Sequence, residues 1–229
     1  MVILTIMRIK STFNLEKDLI RANLNKYTRK AFHMLPRIDK PRILDIGCGS
    51  GVPTLELARL SKGQIIGLDI DQHLLDILSS KARDAGLSGR VRTMNCSIFD
   101  MDFPDESFDI LWSEGAISSI GFERGLREWR RFLKPHGFLV IHDEMGNLEG
   151  KIAKITASGY DLLRYFIISE DIWWTSYFQP LQKRINNIRL KYIANHVKLS
   201  ALNEAQREID MLKKNPECSR SVFFVMKKS

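Results

Sequence analysis

An apolar run leads directly into a glycine-rich turn in the stretch Arg42-Ile43-Leu44-Asp45-Ile46-Gly47-Cys48-Gly49-Ser50-Gly51. The apolar run is typical of a buried strand. Glycine at every second position of the turn lets its backbone adopt positive φ and lie close to a ligand. A helix then begins at Val52-Pro53-Thr54, with proline in the first turn, where it is tolerated. Strand, glycine turn and helix in this order predict a nucleotide site at the carboxyl edge of a parallel sheet.

Strand and helix patterns alternate from this stretch to about residue 142. We predict further strands at Gln64–Asp69, Arg90–Asn95, Asp109–Ser113 and Phe138–His142, with helices between them. This alternation indicates a parallel sheet with helices on both faces. The flanking segments differ: residues 14–35 read as one helix with Asn14 as its N-cap, and residues 169–216 read as helical before a last strand near residues 220–227.

Composition narrows the class of protein. The 229 residues include 44% hydrophobic and 27% charged side chains, as expected of a globular domain, and no apolar run is long enough for a transmembrane helix. The three cysteines have neither disulfide-framework nor metal-ligand spacing, so we expect reduced thiols, no metal and a cytoplasmic location. The net charge of +8 is spread along the chain, which favours a solvated basic surface over a specific nucleic-acid site. The sequence leaves the oligomeric state open.

Two acids indicate the ligand of the glycine turn. Asp69 ends the second strand, eighteen residues after Gly51, where a carboxylate can accept from both ribose hydroxyls of a nucleoside. The alternative is that Asp69 only ends its strand and caps the next turn. Asp45 lies two residues before the first glycine, and Val52 stands where the dinucleotide fingerprint has its third glycine. An acid at 45 suits an ammonium group better than a pyrophosphate, which favours S-adenosylmethionine over a nicotinamide dinucleotide.

Four segments together resemble the class I S-adenosylmethionine-dependent methyltransferases, in the small-molecule branch similar to ubiquinone- and menaquinone-biosynthesis enzymes. They are Leu44–Gly51, Gly67–Asp71, Phe103–Asp109 and Glu128–Gly137. The resemblance implies a doubly wound, mostly parallel, seven-stranded Rossmann-like sheet with an antiparallel last strand and a helical insertion before it. It also implies one methyltransferase domain over residues 1–229, in which an N-terminal segment (1–40) and a helical cap (169–216) cover the substrate.

The resemblance assigns cofactor roles by position. Asp45 and the backbone of Gly47, Cys48, Gly49 and Gly51 would hold the methionine part, and Asp69 the ribose. Ile70 would pack on the adenine. Many members carry a Gly-Asp pair after the third strand, where this chain has Cys96-Ser97, so Ser97 would bind the adenine without charge and Ile98 through its backbone. Ser113, at the end of the fourth strand, completes the predicted cofactor set.

Candidates for catalysis and substrate binding are less specific. Glu114 and His142 follow the fourth and fifth strands, and we predict that they contact the ligands or act as a base; the alternative for His142 is a structural hydrogen bond. Aromatic side chains in the insertion would line an apolar substrate pocket, or else anchor a helix to the core: Trp173, Trp174, Tyr177 and Phe178. The predicted function is methyl transfer from S-adenosylmethionine to a small molecule. The alternatives are a nucleic-acid methyltransferase and a non-catalytic S-adenosylmethionine-binding protein.

Overall fold

The computed structural model describes residue 13, residues 16–192 and residues 200–229. Its contacts divide the chain into two compact units. The sheet unit contains Asn25–Ile167 and Ser221–Ser229, and the helical unit contains Met1–Leu24 and Ile168–Arg220. The predicted N-cap Asn14 lies outside the described residues. The chain therefore passes from one unit to the other three times.

The sheet unit begins with a helix and then alternates strands with helices. The elements are α2 (Asn25–His33), β1 (Arg42–Ile46), α3 (Val52–Leu60), β2 (Gln64–Asp69), α4 (Gln72–Asp84), β3 (Val91–Asn95), β4 (Phe108–Glu114), α5 (Ile117–Ile120), α6 (Phe122–Trp129), β5 (Leu133–Glu144), α7 (Leu148–Ala157), β6 (Tyr160–Ile168) and β7 (Ser221–Lys228). Residues 16–21, which belong to the helical unit, form helix α1.

The strands form one mixed sheet of seven strands in the order β3-β2-β1-β4-β5-β7-β6. The pairs β1–β2, β2–β3, β1–β4 and β4–β5 are parallel, whereas β7 runs antiparallel to β5. The chain order reverses between β1 and β4, which is the switch point at which open α/β sheets bind their ligands. The predicted Rossmann-like sheet and its antiparallel last strand are confirmed.

The core explains why the central strands read as continuous apolar runs. Every residue of β1 after Arg42 is buried, and so is most of β4, because helices cover a parallel sheet. The large side chains Trp112, Trp129 and Phe108 are fully buried. Phe103 packs edge-on against both Phe108 and Phe132, with ring centroids 5.1 and 5.8 Å apart. The central strands of the sheet therefore belong to a closely packed core.

Two local expectations differ from the structure. The N-terminal helical segment is not one helix, because a 3₁₀ turn at Ala22–Leu24 separates residues 16–21 from α2. The second difference concerns Lys134–Gly137, which precedes the strand predicted from Phe138. Its proline and glycine favour the end of the preceding helix, but in the structure it is a bulge inside β5. Phe108 pairs with Leu133 and Ile110 with Phe138, so the intervening residues of β5 bulge out. His136 takes the left-handed conformation there, with φ 60°, and buried Leu133 keeps its place in the sheet.

The helical unit contains the predicted insertion before the last strand. Its described elements are α1, the Ala22–Leu24 turn, α8 (Glu170–Trp173), a π-helical segment (Trp174–Phe178), α9 (Gln179–Tyr192), α10 (Ser200–Lys214) and a 3₁₀ turn (Pro216–Ser219). Two arginine–glutamate pairs link its segments. Arg220 donates two hydrogen bonds to the two carboxylate oxygens of Glu170, at 2.7 and 2.6 Å, and Arg184 binds Glu16. Among the described residues, no helix is both long and apolar enough to cross a bilayer.

Candidate functional site

The glycine turn is fastened to the end of β2. The amides of Gly47 and Cys48 both donate to the carbonyl of Leu68, at 2.8 and 3.0 Å. These two bonds hold the first two residues of the turn against the end of β2. On the other side, the hydroxyl of the fully buried Ser113 in β4 donates to the Ile46 carbonyl at 3.1 Å. The ends of three neighbouring strands are thus fixed relative to one another.

Asp69 connects the glycine turn to the start of α4. Its Oδ2 accepts from the amide of Gly49 at 2.8 Å, and its Oδ1 accepts from the amide of Asp71 at 2.9 Å. Asp71 in turn caps α4 by accepting from the amides of His73 and Leu74. Asp69 is half-buried and lines the cavity described below. Its position beside the turn is the one that the spacing predicts, and it also shapes the turn itself.

Two glycines of the turn are required by close neighbours. Gly47 has φ +72°, and a Cβ on it would lie 2.3 Å from the Cβ of Ala116. Gly51 has φ +80°, and a Cβ there would lie 2.1 Å from Leu78 in α4. Gly49 also has positive φ, but a Cβ on it would meet nothing within 4 Å. The turn therefore combines two sites of tight packing with one that is open.

Asp45 lies beneath the turn. Its side chain is buried, and its Oδ2 accepts from the hydroxyl of Thr54 at 2.6 Å. Burial raises the pKa of Asp45 to about 7, and the charges of Glu114 and Asp69 act in the same direction, whereas the Thr54 bond lowers it. Three acids therefore surround the turn, and one of them holds its proton near neutral pH. Such a cluster favours a positively charged ligand.

A cavity of about 320 Å³ opens beside the turn. Its lining comes from the ends of β1, β2, β3 and β4 and from the start of α5: Gly47, Asp69, Ile70, Ser97, Ile98, Phe99, Glu114, Gly115, Ala116 and Ser119. The lining carries two acids and no basic side chain. Ile70 and Phe99 are 73% and 51% exposed, so both present apolar surface at the cavity.

The lining separates the predicted cofactor residues into two groups. Gly47, Asp69, Ile70, Ser97 and Ile98 line the cavity, as does Glu114. The other predicted residues support the turn and do not belong to the lining: Asp45, Cys48, Gly49, Gly51 and Ser113. Among these, Cys48 is buried, and burial raises the pKa of its thiol well above the usual range.

Within the described part of the chain, two side-chain donors bind the same oxygen of Glu114. Its Oε1 accepts from the hydroxyl of Thr28 at 2.8 Å and from the indole Nε1 of Trp112 at 2.9 Å. Both donors are fully buried, whereas Glu114 itself is half-buried and lines the cavity. Trp112 precedes Glu114 by two residues in β4, and Thr28 belongs to α2. Two different elements of the sheet unit therefore hold this carboxylate.

His142 is held inside the sheet. Its Nε2 lies 2.8 Å from the hydroxyl of Ser221, and its ring stacks on Phe223 with centroids 4.3 Å apart. It is 6% exposed and does not belong to the cavity lining, although it pairs with Glu114 in the sheet register. This geometry agrees with the alternative that His142 makes a structural hydrogen bond. The role of His142 as a base stays a prediction.

The four predicted substrate residues lie in the helical unit, three of them in mutual contact. Trp173 and Phe178 approach Tyr177 edge-on, with ring centroids 5.7 and 5.0 Å away. Burial raises the pKa of Tyr177 above its usual range. Trp174 and Phe178 line a separate cavity of about 250 Å³ within this unit. That these residues bind substrate stays a prediction.

The sequence analysis did not predict Thr28 or four of the lining residues, Phe99, Gly115, Ala116 and Ser119. A signal for Thr28 was present: Asn25, Thr28 and Ala31 recur every three residues and form the buried face of α2. Polar residues on a buried helix face need partners. Asn25 indeed donates to Glu56 of α3 at 3.3 Å, and Arg29 donates to the other carboxylate oxygen of Glu56 at 2.7 Å. No comparable signal distinguished Phe99 from other apolar loop residues.

Comparison with known proteins covers the same part of the chain. Residues 44–141 match the protein family described as a methyltransferase domain. This chain is 33% identical over 103 residues to the ubiquinone/menaquinone biosynthesis C-methyltransferase UbiE of Vibrio vulnificus. That match covers 44% of this chain and 40% of UbiE. The chain is 30% identical over 103 residues to the sterol 24-C-methyltransferase ERG6B of Gibberella zeae, of which it covers 27%. The chain thus matches less than half the length of these curated relatives.

Solved structures share the fold over most of the chain. The [4+2]-cyclase SpnF superposes with a TM-score of 0.74 at 22% identity, covering 89% of this chain and 80% of that one. A phosphoethanolamine N-methyltransferase of Haemonchus contortus, crystallised with S-adenosyl-L-methionine, has a TM-score of 0.70 at 18% identity, covering 89% of this chain and 52% of that one. At these identities the likeness concerns the fold. The sequence match is more specific: residues 44–141 of this chain match the family described as a methyltransferase domain.

Proposed function

We propose that this protein transfers a methyl group from S-adenosylmethionine to a small-molecule acceptor. The single observation that carries the proposal is a cavity at the glycine turn whose lining has two acids and no base. A ligand of this cavity should be cationic. S-adenosylmethionine carries a sulfonium and an ammonium against one carboxylate, whereas a dinucleotide brings two negative phosphates to the same turn.

The residues of the turn fit this cofactor. Asp69 lies at the end of β2, where a carboxylate can accept from ribose hydroxyls, and exposed Ile70 offers an apolar surface to a flat base. A cavity of about 320 Å³ lies within the usual range for small-molecule sites. Ser97 and Ile98 would face the adenine, and Asp45, from beneath the turn, would favour the cationic end of the ligand.

The protein's own share of the reaction is positioning and charge. S-adenosylmethionine supplies, when bound, a methyl group on a sulfonium that a nucleophile can displace. The chain needs to hold the ligand rigidly, align the acceptor and exclude water, which together can supply several kcal/mol. Glu114 is the lining acid best placed to act on the cationic part or on the acceptor. A base is required only if the acceptor carries a proton at the attacking atom.

The relatives support a small-molecule acceptor. UbiE and ERG6B are named as C-methyltransferases of a quinone pathway and of sterols. The match to the methyltransferase domain family, over residues 44–141, lies in the sheet unit and leaves out the helical unit, where acceptor specificity would be encoded. We therefore propose the class of acceptor and leave its identity and the acceptor atom open.

The decisive experiment separates binding from transfer. Calorimetry with S-adenosylmethionine and with NADH should show binding of the former alone. Methyl-labelled S-adenosylmethionine should then label a compound in an ultrafiltered small-molecule extract. At a cofactor concentration near the Kd of the unmodified protein, Asp69→Asn should strongly reduce the labelling. Binding of NADH alone would refute the proposal, and cofactor binding without labelling of any small molecule would favour the non-catalytic alternative. Labelling of RNA or DNA instead would favour the nucleic-acid alternative.

A further inference from the structure

Helix α2 delivers a buried hydroxyl to the wall of the cofactor cavity. Thr28 is fully buried, and its hydroxyl donates at 2.8 Å to Oε1 of Glu114, a residue 86 positions away in the chain. A buried threonine hydroxyl must find a partner, because leaving it unpaired is costly. Many acceptors would serve that purpose. Here the acceptor is one of the two acids that line the cavity.

The two donors on Glu114 come from different elements. The Trp112 indole donates to the same oxygen at 2.9 Å from within β4, because residues two apart in a strand share a face. Thr28 donates from outside the sheet. A carboxylate held from one side can still turn about its side-chain torsions, whereas donors on two elements restrict it. A fixed charge acts on a ligand without reorganising when the ligand arrives.

Helix α2 is itself anchored beside the turn. Asn25 and Arg29 donate to the two carboxylate oxygens of Glu56, at 3.3 and 2.7 Å, and Glu56 belongs to α3, the helix that follows the glycine turn. Asn25 and Thr28 share the buried face of α2. The hydroxyl of Thr28 is therefore presented by a helix whose position is set through the same turn that forms the cavity.

We propose that Thr28 is a positioning residue of the cofactor site, which fixes the Glu114 carboxylate so that the cavity discriminates a cationic ligand from a neutral one. This inference rests on the proposed function. S-adenosylmethionine and S-adenosylhomocysteine differ by the methyl group and its sulfonium charge. A fixed Glu114 should favour the charged member of the pair, and loss of the Thr28 hydroxyl should reduce that preference.

The test is a double-mutant cycle read by calorimetry with both ligands. Thr28→Val keeps the shape and removes the donor, and we expect about tenfold weaker binding of S-adenosylmethionine, with a smaller change for S-adenosylhomocysteine. Thr28→Ser keeps a hydroxyl and should restore binding to within about threefold. In a Glu114→Gln background, Thr28→Val should change the affinity by less than about twofold, because its effect passes through that carboxylate.

Controls distinguish positioning from general loss of stability. Thr93→Val removes a threonine hydroxyl that contacts Ser79 at 3.1 Å, outside the cavity lining, and should leave both affinities unchanged. Should Thr28→Val not fold, Thr28→Ala removes the same hydroxyl without placing a methyl beside the carboxylate. An equal effect of Thr28→Val in both Glu114 backgrounds, or an unchanged preference between the ligands, would overturn the inference. Failure of the unmodified protein to bind S-adenosylmethionine would instead refute the proposed function, and the inference with it.

Discussion

The carboxylate of Asp69 binds the backbone of Gly49, with Oδ2 2.8 Å from the amide nitrogen. Asp69 therefore stabilises the glycine turn without any ligand, because its carboxylate holds the middle residue of the turn. The same carboxylate lines the cavity. A single side chain thus joins the shape of the turn to the recognition of whatever binds there.

Asp69→Asn should weaken the binding of S-adenosylmethionine by about tenfold to a hundredfold, since hydrogen bonds to a charged group are worth about 1.5–3 kcal/mol each. Calorimetry measures the affinity directly. Asp71→Asn is the matched control: it changes an acid two residues away that caps α4 and does not line the cavity. It should leave the affinity unchanged. An Asp69→Asn variant with unaltered affinity would show that the ribose assignment is wrong.

Gly47→Ala should destabilise the protein far more than Gly49→Ala. Both positions have positive φ, so both substitutions carry the backbone penalty of about 1–2 kcal/mol. Only at Gly47 would the new methyl lie 2.3 Å from Ala116, which forces the cavity wall to move. Urea denaturation of the two variants gives the difference. Equal losses of stability would mean that the Gly47–Ala116 contact relaxes freely.

The stability of the protein should depend on pH through Asp45. Its pKa in the folded protein is raised to about 7 by burial and by the charges of Glu114 and Asp69. Between about pH 4 and about pH 7 the folded state therefore holds this proton more tightly than the unfolded chain. The contribution to the free energy of unfolding falls as the pH rises through that window.

Asp45→Asn removes this dependence and tests it. Between about pH 4 and about pH 8 the free energy of unfolding of the unmodified protein should fall by about 2–4 kcal/mol more than that of the variant, because one pKa unit is worth about 1.4 kcal/mol. Denaturation at both pH values measures the change. Thr54→Val serves as the complementary variant: it removes the bond that lowers the Asp45 pKa, so the loss of stability should continue to higher pH than in the unmodified protein. An Asp45→Asn variant that parallels the unmodified protein at all pH values would contradict the assignment.

His142→Gln distinguishes a structural histidine from a catalytic base. The ring is bound to Ser221 and stacked on Phe223 inside the sheet. We therefore expect a loss of about 1–3 kcal/mol in the free energy of unfolding, with cofactor affinity unchanged. Ser221→Ala should cause a smaller loss through the same bond. A variant that folds with full stability but turns over much more slowly would instead support the predicted role as a base.

Local rules predicted the parts of the site that are close in sequence. The strand, the glycine turn and Asp69 lie within one strand–helix–strand unit, whose handedness fixes where the second strand must end. Glu114 was placed because parallel strands bring their carboxyl ends to one edge, whereas Ser97 and Ile98 were placed by the resemblance to the methyltransferases. All three line the cavity.

Other features were beyond such rules. The bond from Thr28 to Glu114 joins residues 86 positions apart, so only the packed structure reveals it. The bulge in β5 was hidden because Pro135 and Gly137 also end helices, and the register with β4 decided between the two. The break at Ala22–Leu24 lies where the helical periodicity continues on both sides, and it coincides with the boundary between the two units.

The three crossings between the units, near residues 24, 167 and 220, determine how this chain can be recombined with its relatives. A single crossover between residues 24 and 167 would take the two segments of the helical unit, Met1–Leu24 and Ile168–Arg220, from different parents. Exchange of the whole unit requires three junctions at once. Random recombination should therefore preserve the cofactor turn, which lies in one continuous segment, far more often than it preserves an intact helical unit. Chimeras built at all three junctions would test whether the helical unit encodes the acceptor preference.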